Sequence, residues 1–300
     1  MKRVVSISLG SAKRNHAVDV ELLGQSCRVE RIGTDGDLKE MVKLIERMDG
    51  EVAAFGLGGM DLYVFAGEKR YTLREAKNVV KSAKLSPILD GSGLKNTLER
   101  KVIQHLKKNT ELLQGAPKVL MMSGADRFGM AEALNAAGCR LTMGDLIFTI
   151  GLPLPLRSLK ALERVAGLLA PLLCQLPLAM LYPVGKQQEE NTPKAPALFA
   201  EAELIAGDFH FIRRYMPLDL RGKIIITNTT TRDDVALLTE RGVKTLVTTT
   251  PELYGRTFGT NVMEALLVAI SGKRRELGAA EYEELLNAIN FAPRITHLQQ

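Results

Sequence analysis

Apolar positions recur along this chain with two periods: about two over short runs and about 3.6 over longer ones. In the first third, "RVVSISL", "AVDVELL" and "CRVERIG" read as strands, and "DLKEMVKLIERM" follows with helical spacing. A strand over "EVAAFGLGG", a hairpin over "LYVFAGEKRYTL" and a helix near "REAKNVVKSA" come next, and a further strand ends in "PILDGSG". The helix through "LKNTLERKVIQHLKK" carries Leu94, Leu98, Val102 and Leu106 at spacings of four, a stripe that faces a core. The polar stretch "NTELLQGAP" at 109–117 reads as a domain junction.

Beyond it, "KVLMMSG" is a near-continuous apolar run, as expected of a strand covered on both faces. A helix over "GMAEALNAAG", a strand over "CRLTMGD" and an insertion at about 146–200 follow; the insertion holds an apolar helix pair and the polar loop "GKQQEENTPKAP". Strands resume at "ELIAGDF", "KIIITNTT" and "KTLVTTTP", with the helix "RDDVALLTERG" between the last two. Helices over "NVMEALLVAISG" and "AAEYEELLNAI" close the chain. This alternation predicts an α/β protein of two domains with mainly parallel sheets. The first is a substrate domain at 1–110, joined by C-terminal helices within 262–300. The second is a Rossmann-like domain at 111–261 that carries the helical insertion.

Composition narrows the picture modestly. With 300 residues, 46% apolar and 25% charged, the balance is that of a globular protein. A net charge of +6, no tryptophan and no stripe of interleaved basic and aromatic residues leave no expectation of nucleic-acid binding. The start "MKRVVSISLG" lacks a signal-peptide core. The apolar stretch 169–183 is broken by Gln175 and prolines and falls short of the ~20 residues that span a bilayer. It reads as a buried helical hairpin, with no membrane contact. Cys27, Cys139 and Cys174 show neither metal spacing nor a disulfide framework, so the expected compartment is cytoplasmic. A homodimer stays open.

The candidate chemistry begins at "LMMSGADRFGMAEAL", 120–134, a strand, turn and helix. Gly124 and Gly129 have the spacing of the first and third glycines of a dinucleotide fingerprint, and Asp145 lies where an acid would bind the adenosine ribose. The middle glycine is replaced by Asp126. A carboxylate about 5 Å from a phosphate costs on the order of 3 kcal/mol at an effective dielectric of 20. Arg127 offsets that if it turns toward the phosphates; otherwise Asp126 caps the helix. Either the loop binds NAD or NADP, with NAD favoured by Asp145, or the domain has lost its cofactor.

The order of elements, the turn Asp90-Gly91-Ser92-Gly93 before the second domain, and "TRDDVALLTERGVKTL" followed by "FGTNVMEALLVAI" resemble the quinate and shikimate dehydrogenase superfamily. Shared blocks "GLGGMDLY", "DGSGLKNTLER", "GDFHFIRRYMP" and "ITNTTT" bring the chain closest to bacterial quinate 5-dehydrogenases over nearly its full length. The resemblance implies NAD(P)-dependent oxidation of a cyclic hydroxy acid, with Asp90 and a lysine handling the proton. The family's lysine block is absent; Lys69 and Lys95 are the substitutes, and the threonine before the family aspartate is here Leu89.

Residues expected at the carboxyl ends of the strands are Asp90, Asp208, His210, Asn228, Thr229, Thr249 and Thr250. His210 is a candidate base, or a packed side chain between two phenylalanines. Arg213 is a candidate carboxylate clamp, and Asn96 and Asn261 are candidate substrate contacts. Two other functions remain in view. One is an acyl-thioester reductase using Cys174, whose apolar setting raises its pKa; the other is a non-catalytic ligand-binding protein that kept the fold.

Overall fold

The computed structural model describes residues 1–67, 69–177, 190–250, 252–253 and 256–299. Its first sheet has the order β2-β3-β1-β4-β7, with β1 (Lys2–Ser8) at the centre, between β3 (Gln25–Gly33) and β4 (Ala54–Gly58). These strands and β7 (Ile88–Leu89) run parallel, and only the edge strand β2 (His16–Leu22) is antiparallel. Five successive residues of β1, from Val4 to Ser8, are buried, because helices cover both faces. Val5, Ile7 and Phe55 pack under the helix Leu38–Met48, whose apolar face is Met41, Leu44, Ile45 and Met48. The Asp37 side chain starts that helix by accepting from the amides of Lys39 and Glu40. Val4 and Val29, on the other face, pack against Met263 and Tyr282 from helices Thr260–Ser271 and Ala279–Ala288 near the chain's end. A hairpin of β5 (Tyr63–Ala66) and β6 (Lys69–Thr72) stands apart from the sheet.

The second sheet has the order β15-β12-β11-β10-β8-β9. Its parallel strands are β8 (Lys118–Met121), β9 (Arg140–Met143), β10 (Leu204–Ala206), β11 (Ile224–Thr227) and β12 (Thr245–Thr248). Counted along the chain, that order is second-first-third-fourth-fifth, a doubly wound arrangement whose switch point lies between β8 and β10. The chain is thus α/β with two mainly parallel sheets. A short pair, β13 (Glu252–Leu253) and β14 (Arg256–Thr257), precedes the tail. The last strand, β15 (Arg294–His297), pairs antiparallel with β12. The tail therefore divides: its helices cover the first sheet, and its end completes the second.

Two helices tie the lobes together. In Ser92–Asn109, Leu94 and Leu98 belong to the first core, whereas Val102, Ile103 and Leu106 belong to the second. The stripe expected to face one core spans two. In Leu159–Leu173, Leu162 packs in the second lobe's core, and Cys174, just past the helix, lies in the first lobe's. This is the described member of the expected helix pair. Its Leu168 and Leu172 are exposed, and the other half of the expected hairpin lies outside the described residues. Among the described residues, no helix is long and apolar enough to cross a membrane.

Candidate functional site

Because β1, β4 and β7 in one lobe and β8, β10 and β11 in the other point their carboxyl ends at each other, the turns that follow them meet. Between them lies a cleft of about 1050 Å³, lined by Ser8, Asp90, Ser123, Asp208 and Asn228 from strand ends, with Leu162, Val165 and Leu169 as an apolar wall. Strand-end crevices of this kind are where doubly wound sheets hold ligands.

At its centre is a chain of ion pairs. The Lys95 ammonium, on the helix that bridges the lobes, lies 2.7 Å from Asp126 Oδ1 and 3.4 Å from Asp61 Oδ1. Burial alone would lower the Lys95 pKa, but Asp126 and then Asp61 outweigh it and hold it above the ordinary lysine value. Arg127 is fully enclosed: it pairs with Glu99 and, at 3.1 Å, with Asp208 Oδ2. Glu99, Asp126 and Asp208 together overcome its burial and keep it charged. Asp208 also accepts from Asn228 Nδ2 at 2.6 Å and from the His210 amide at 2.8 Å. Burial would raise the Asp208 carboxyl; His210 and Arg127 hold it below its ordinary value. Asp61 and Glu99 belong to this chain of charges but did not stand out in the sequence. Glu99 sits at a helix position that looks solvated until the second lobe covers it.

Several predicted residues have other work. Asp90 Oδ2 accepts from the amides of Leu62 and Tyr63, and Oδ1 from the amide and hydroxyl of Ser92. It lines the cleft and pins a turn with both oxygens engaged. Lys69 is exposed on the β5–β6 hairpin, away from the cleft. Lys95 is in the cleft, where Asp126 and Asp61 hold its ammonium and raise its pKa. His210 lines the cleft, half-buried, at the start of the helix Phe209–Tyr215.

In the glycine loop, Asp145 accepts from the amides of Gly124 at 2.9 Å and Ala125 at 2.8 Å. Its carboxyl lies where the loop's own donors converge, and burial raises its pKa despite them. Asp126 faces Lys95 and lies 3.7 Å from Arg127 Nε, and Arg127 turns its terminal nitrogens to Glu99 and Asp208. Gly129 lets the helix Phe128–Ala136 press against Asn96 of the bridging helix, so Asn96 is a packing residue outside the cleft. Arg213 donates to Asp234 at 3.0 Å and also lies off the cleft. Thr229 bonds the Phe258 carbonyl at 3.2 Å, and Thr249 is buried with a hydroxyl that has no partner among the described residues. Asn261 lines the cleft and donates to Ser6 Oγ at 2.9 Å. Cys174 borders the cleft with a thiol that burial pushes up, unsuited to attack a thioester.

Fold and site together define a two-lobed α/β protein with a cleft of mixed polar and apolar lining between its sheets. Residues 93–298, more than half of the chain, match the family described as Domain of unknown function (DUF8754), and the chain belongs to that family. Residues 3–90 match Domain of unknown function (DUF8753). No curated protein matches the chain. Among similar solved structures, a transporter solute-binding protein from Burkholderia multivorans is 11% identical with a TM-score of 0.38, covering 98% of this chain and 99% of its own. A glucose-galactose binding protein from Geobacillus stearothermophilus is 10% identical with a TM-score of 0.39, over 99% and 97%. The L-tryptophan dehydrogenase of Nostoc punctiforme is 11% identical with a TM-score of 0.35, over 89% and 68%. Likenesses this distant assign no function. The expected membership of the quinate and shikimate dehydrogenases is nevertheless corrected. The families matched are described as domains of unknown function, and neither is the quinate and shikimate dehydrogenase family. The cyclic hydroxy-acid dehydrogenase activity falls with it.

Proposed function

We propose that the protein is a binding protein that holds a small hydroxyl-rich molecule in the cleft between its two sheets, without transforming it. The observation that carries this reading is the cleft itself, where strand ends from both lobes converge on one volume large enough for a metabolite. Ser6, Ser8, Asn228, Thr229 and Asn261 offer uncharged donors and acceptors, and Asp126 and Asp208 keep oxygen surface toward the cleft to accept from ligand hydroxyls. The wall of Leu162, Val165 and Leu169 suits the ligand's carbon skeleton.

The locked charges speak for binding over catalysis. Proton transfer needs a group near its switching point within reach of a reacting atom, yet Lys95, Arg127 and Asp208 are each held in one protonation state by neighbours. A pyrophosphate does not fit the loop at 123–128. Its donors at Gly124 and Ala125 are already given to Asp145, and Asp126 adds a second negative charge beside them. The reading therefore includes no nicotinamide coenzyme.

The test is a thermal-shift and calorimetric panel of neutral sugars and polyols, with NAD and NADP as further arms. At least one hydroxylated compound should raise the melting temperature, and Ala166→Trp, which fills the cleft from its apolar wall, should abolish that rise. Saturable binding of NAD or NADP at micromolar levels, or hydroxylated ligands that bind Ala166→Trp unchanged, would overturn the reading.

A further inference from the structure

At the first-lobe end of the cleft, charge is not balanced as it is at the centre. Arg31 comes from β3 beside β1, and its guanidinium lines the cleft. It donates from Nη1 to the Ser11 carbonyl at 3.0 Å and from Nη2 to Ser8 Oγ at 3.2 Å. Both acceptors are neutral, and among the described residues no carboxylate forms a salt bridge with it. Arg127, in the same cleft, is the contrast: its burial is matched by three carboxylates. Arg14 lines the same end of the cleft and is a second cation without an ion-pair partner among the described residues. The acid whose field reaches Arg31 is Asp35, and that side chain is engaged with the Ala12 amide at 2.9 Å. Ser8 Oγ accepts from Arg31 and from the Gly10 amide at 3.1 Å, which leaves its own proton to donate into the cleft. Room for the guanidinium depends on Gly10: a Cβ there would lie 2.9 Å from Arg31 Nη2.

From this we infer that Arg31, with Ser8 and Arg14, forms an anion subsite, so that the molecule held in the cleft carries a carboxylate or phosphate at this end. The inference rests on the cleft being a ligand site, as proposed above, and adds the charge class of the ligand. A guanidinium withdrawn from water and given only neutral acceptors is under-compensated, and its planar fork matches a carboxylate or phosphate with two parallel hydrogen bonds. Burial first, and the repulsion of Arg14 second, pull the Arg31 pKa down to about 10, the direction expected of a cation awaiting a counter-charge. Arg31 remains charged at neutral pH.

The experiment uses the full chain with inorganic phosphate and acetate as separate probes, at constant ionic strength maintained with chloride. Melting temperature and calorimetry are the readouts. At least one of the two anions should stabilise the wild type beyond the chloride control, and which one does so tells phosphate from carboxylate as the source. Arg31→Met should weaken that anion by about tenfold or more, and Arg31→Lys should recover part of the loss because it restores charge without the fork. Each variant's shift is read from its own anion-free melting temperature, because Arg31→Met also loses the bonds to Ser11 and Ser8. An anion affinity unchanged in Arg31→Met, or no stabilisation of the wild type by either anion, overturns the subsite. If neutral sugars or polyols still bind in that second case, the cleft reading stands and only the anion subsite fails; if they do not bind either, both fail.

Discussion

Lys95 and Asp126 meet at 2.7 Å across the boundary between the two lobes, one from the bridging helix and the other from the turn after β8. The lysine is the better enclosed of the two, with a tenth of its side chain accessible against a quarter for the aspartate. Removing the cation leaves two carboxylates, Asp126 and Asp61, facing each other near a third at Asp208. Lys95→Met should therefore cost about 3–5 kcal/mol in denaturant unfolding, the range for breaking a buried pair from one side. Asp126→Asn keeps the Lys95–Asp61 contact and should cost about 1 kcal/mol. Equal losses in the two variants would mean that the pair does not sit in the enclosed setting described.

Asp145 is expected to hold the loop at 123–128 in shape. Its two oxygens take the amides of Gly124 and Ala125. Asp145→Ala should cost about 2–3 kcal/mol, from one buried and one half-buried donor left unpaired. It should also speed hydrogen exchange at those two amides while exchange in β8 stays slow. An unchanged exchange rate at Gly124 and Ala125 would show that the loop does not depend on this carboxylate.

These two residues also show what the sequence displays and what it hides. The alternation of strands and helices is legible because each element carries its own period; β1, β3, β8 and the helix Leu38–Met48 fall where the pattern puts them. Sheet order is set by pairing between distant segments, so no window of sequence shows that β3 lies between β1 and β2 and brings Arg31 to the cleft. Within "CRVERIG", Arg31 looks like any solvated strand residue. Asp145 was legible as an acid at a strand end, but the same spacing serves a ribose contact or a loop cap. Only the positions of the Gly124 and Ala125 amides separate the two. The strand β15 does not show in the sequence because "RITH" is short and half polar, and only its pairing with β12 makes it a strand.

Asp90-Gly91-Ser92-Gly93 illustrates the same ambiguity, and it yields a sharp test. Gly91 has φ +95°, a conformation that favours glycine, and a Cβ there would lie 2.7 Å from the Asn261 amide nitrogen. The tail helix packs too close to move aside. Gly91→Ala should cost about 3 kcal/mol or more, from backbone strain together with the clash. Gly115, also at positive φ but with open space around it, is the control: Gly115→Ala should cost only about 1 kcal/mol. Similar losses at the two positions would mean that the turn does not press on the tail helix.

Glu264 reaches from that tail helix to the start of the bridging helix. Its Oε2 accepts from the Gly91 amide at 2.7 Å, and its Oε1 from the Leu94 amide at 3.1 Å and the Tyr282 hydroxyl at 2.5 Å. Those donors favour the carboxylate, but burial first and the charge of Asp90 second prevail and raise the pKa from 4.5 to about 8. The folded protein therefore keeps a proton that the unfolded chain gives up above pH 4.5. Between that value and about pH 8 the folded state binds more protons, so stability falls as pH rises, by at most about 1.4 kcal/mol per pH unit, and levels off above. Glu264→Gln has no proton to lose. Its unfolding free energy, measured in denaturant from pH 5 to 9, should lack this downward component, and the difference between wild type and variant isolates the contribution of Glu264. Parallel curves for the two proteins across that range would mean that Glu264 is ionised throughout, with its three donors outweighing burial.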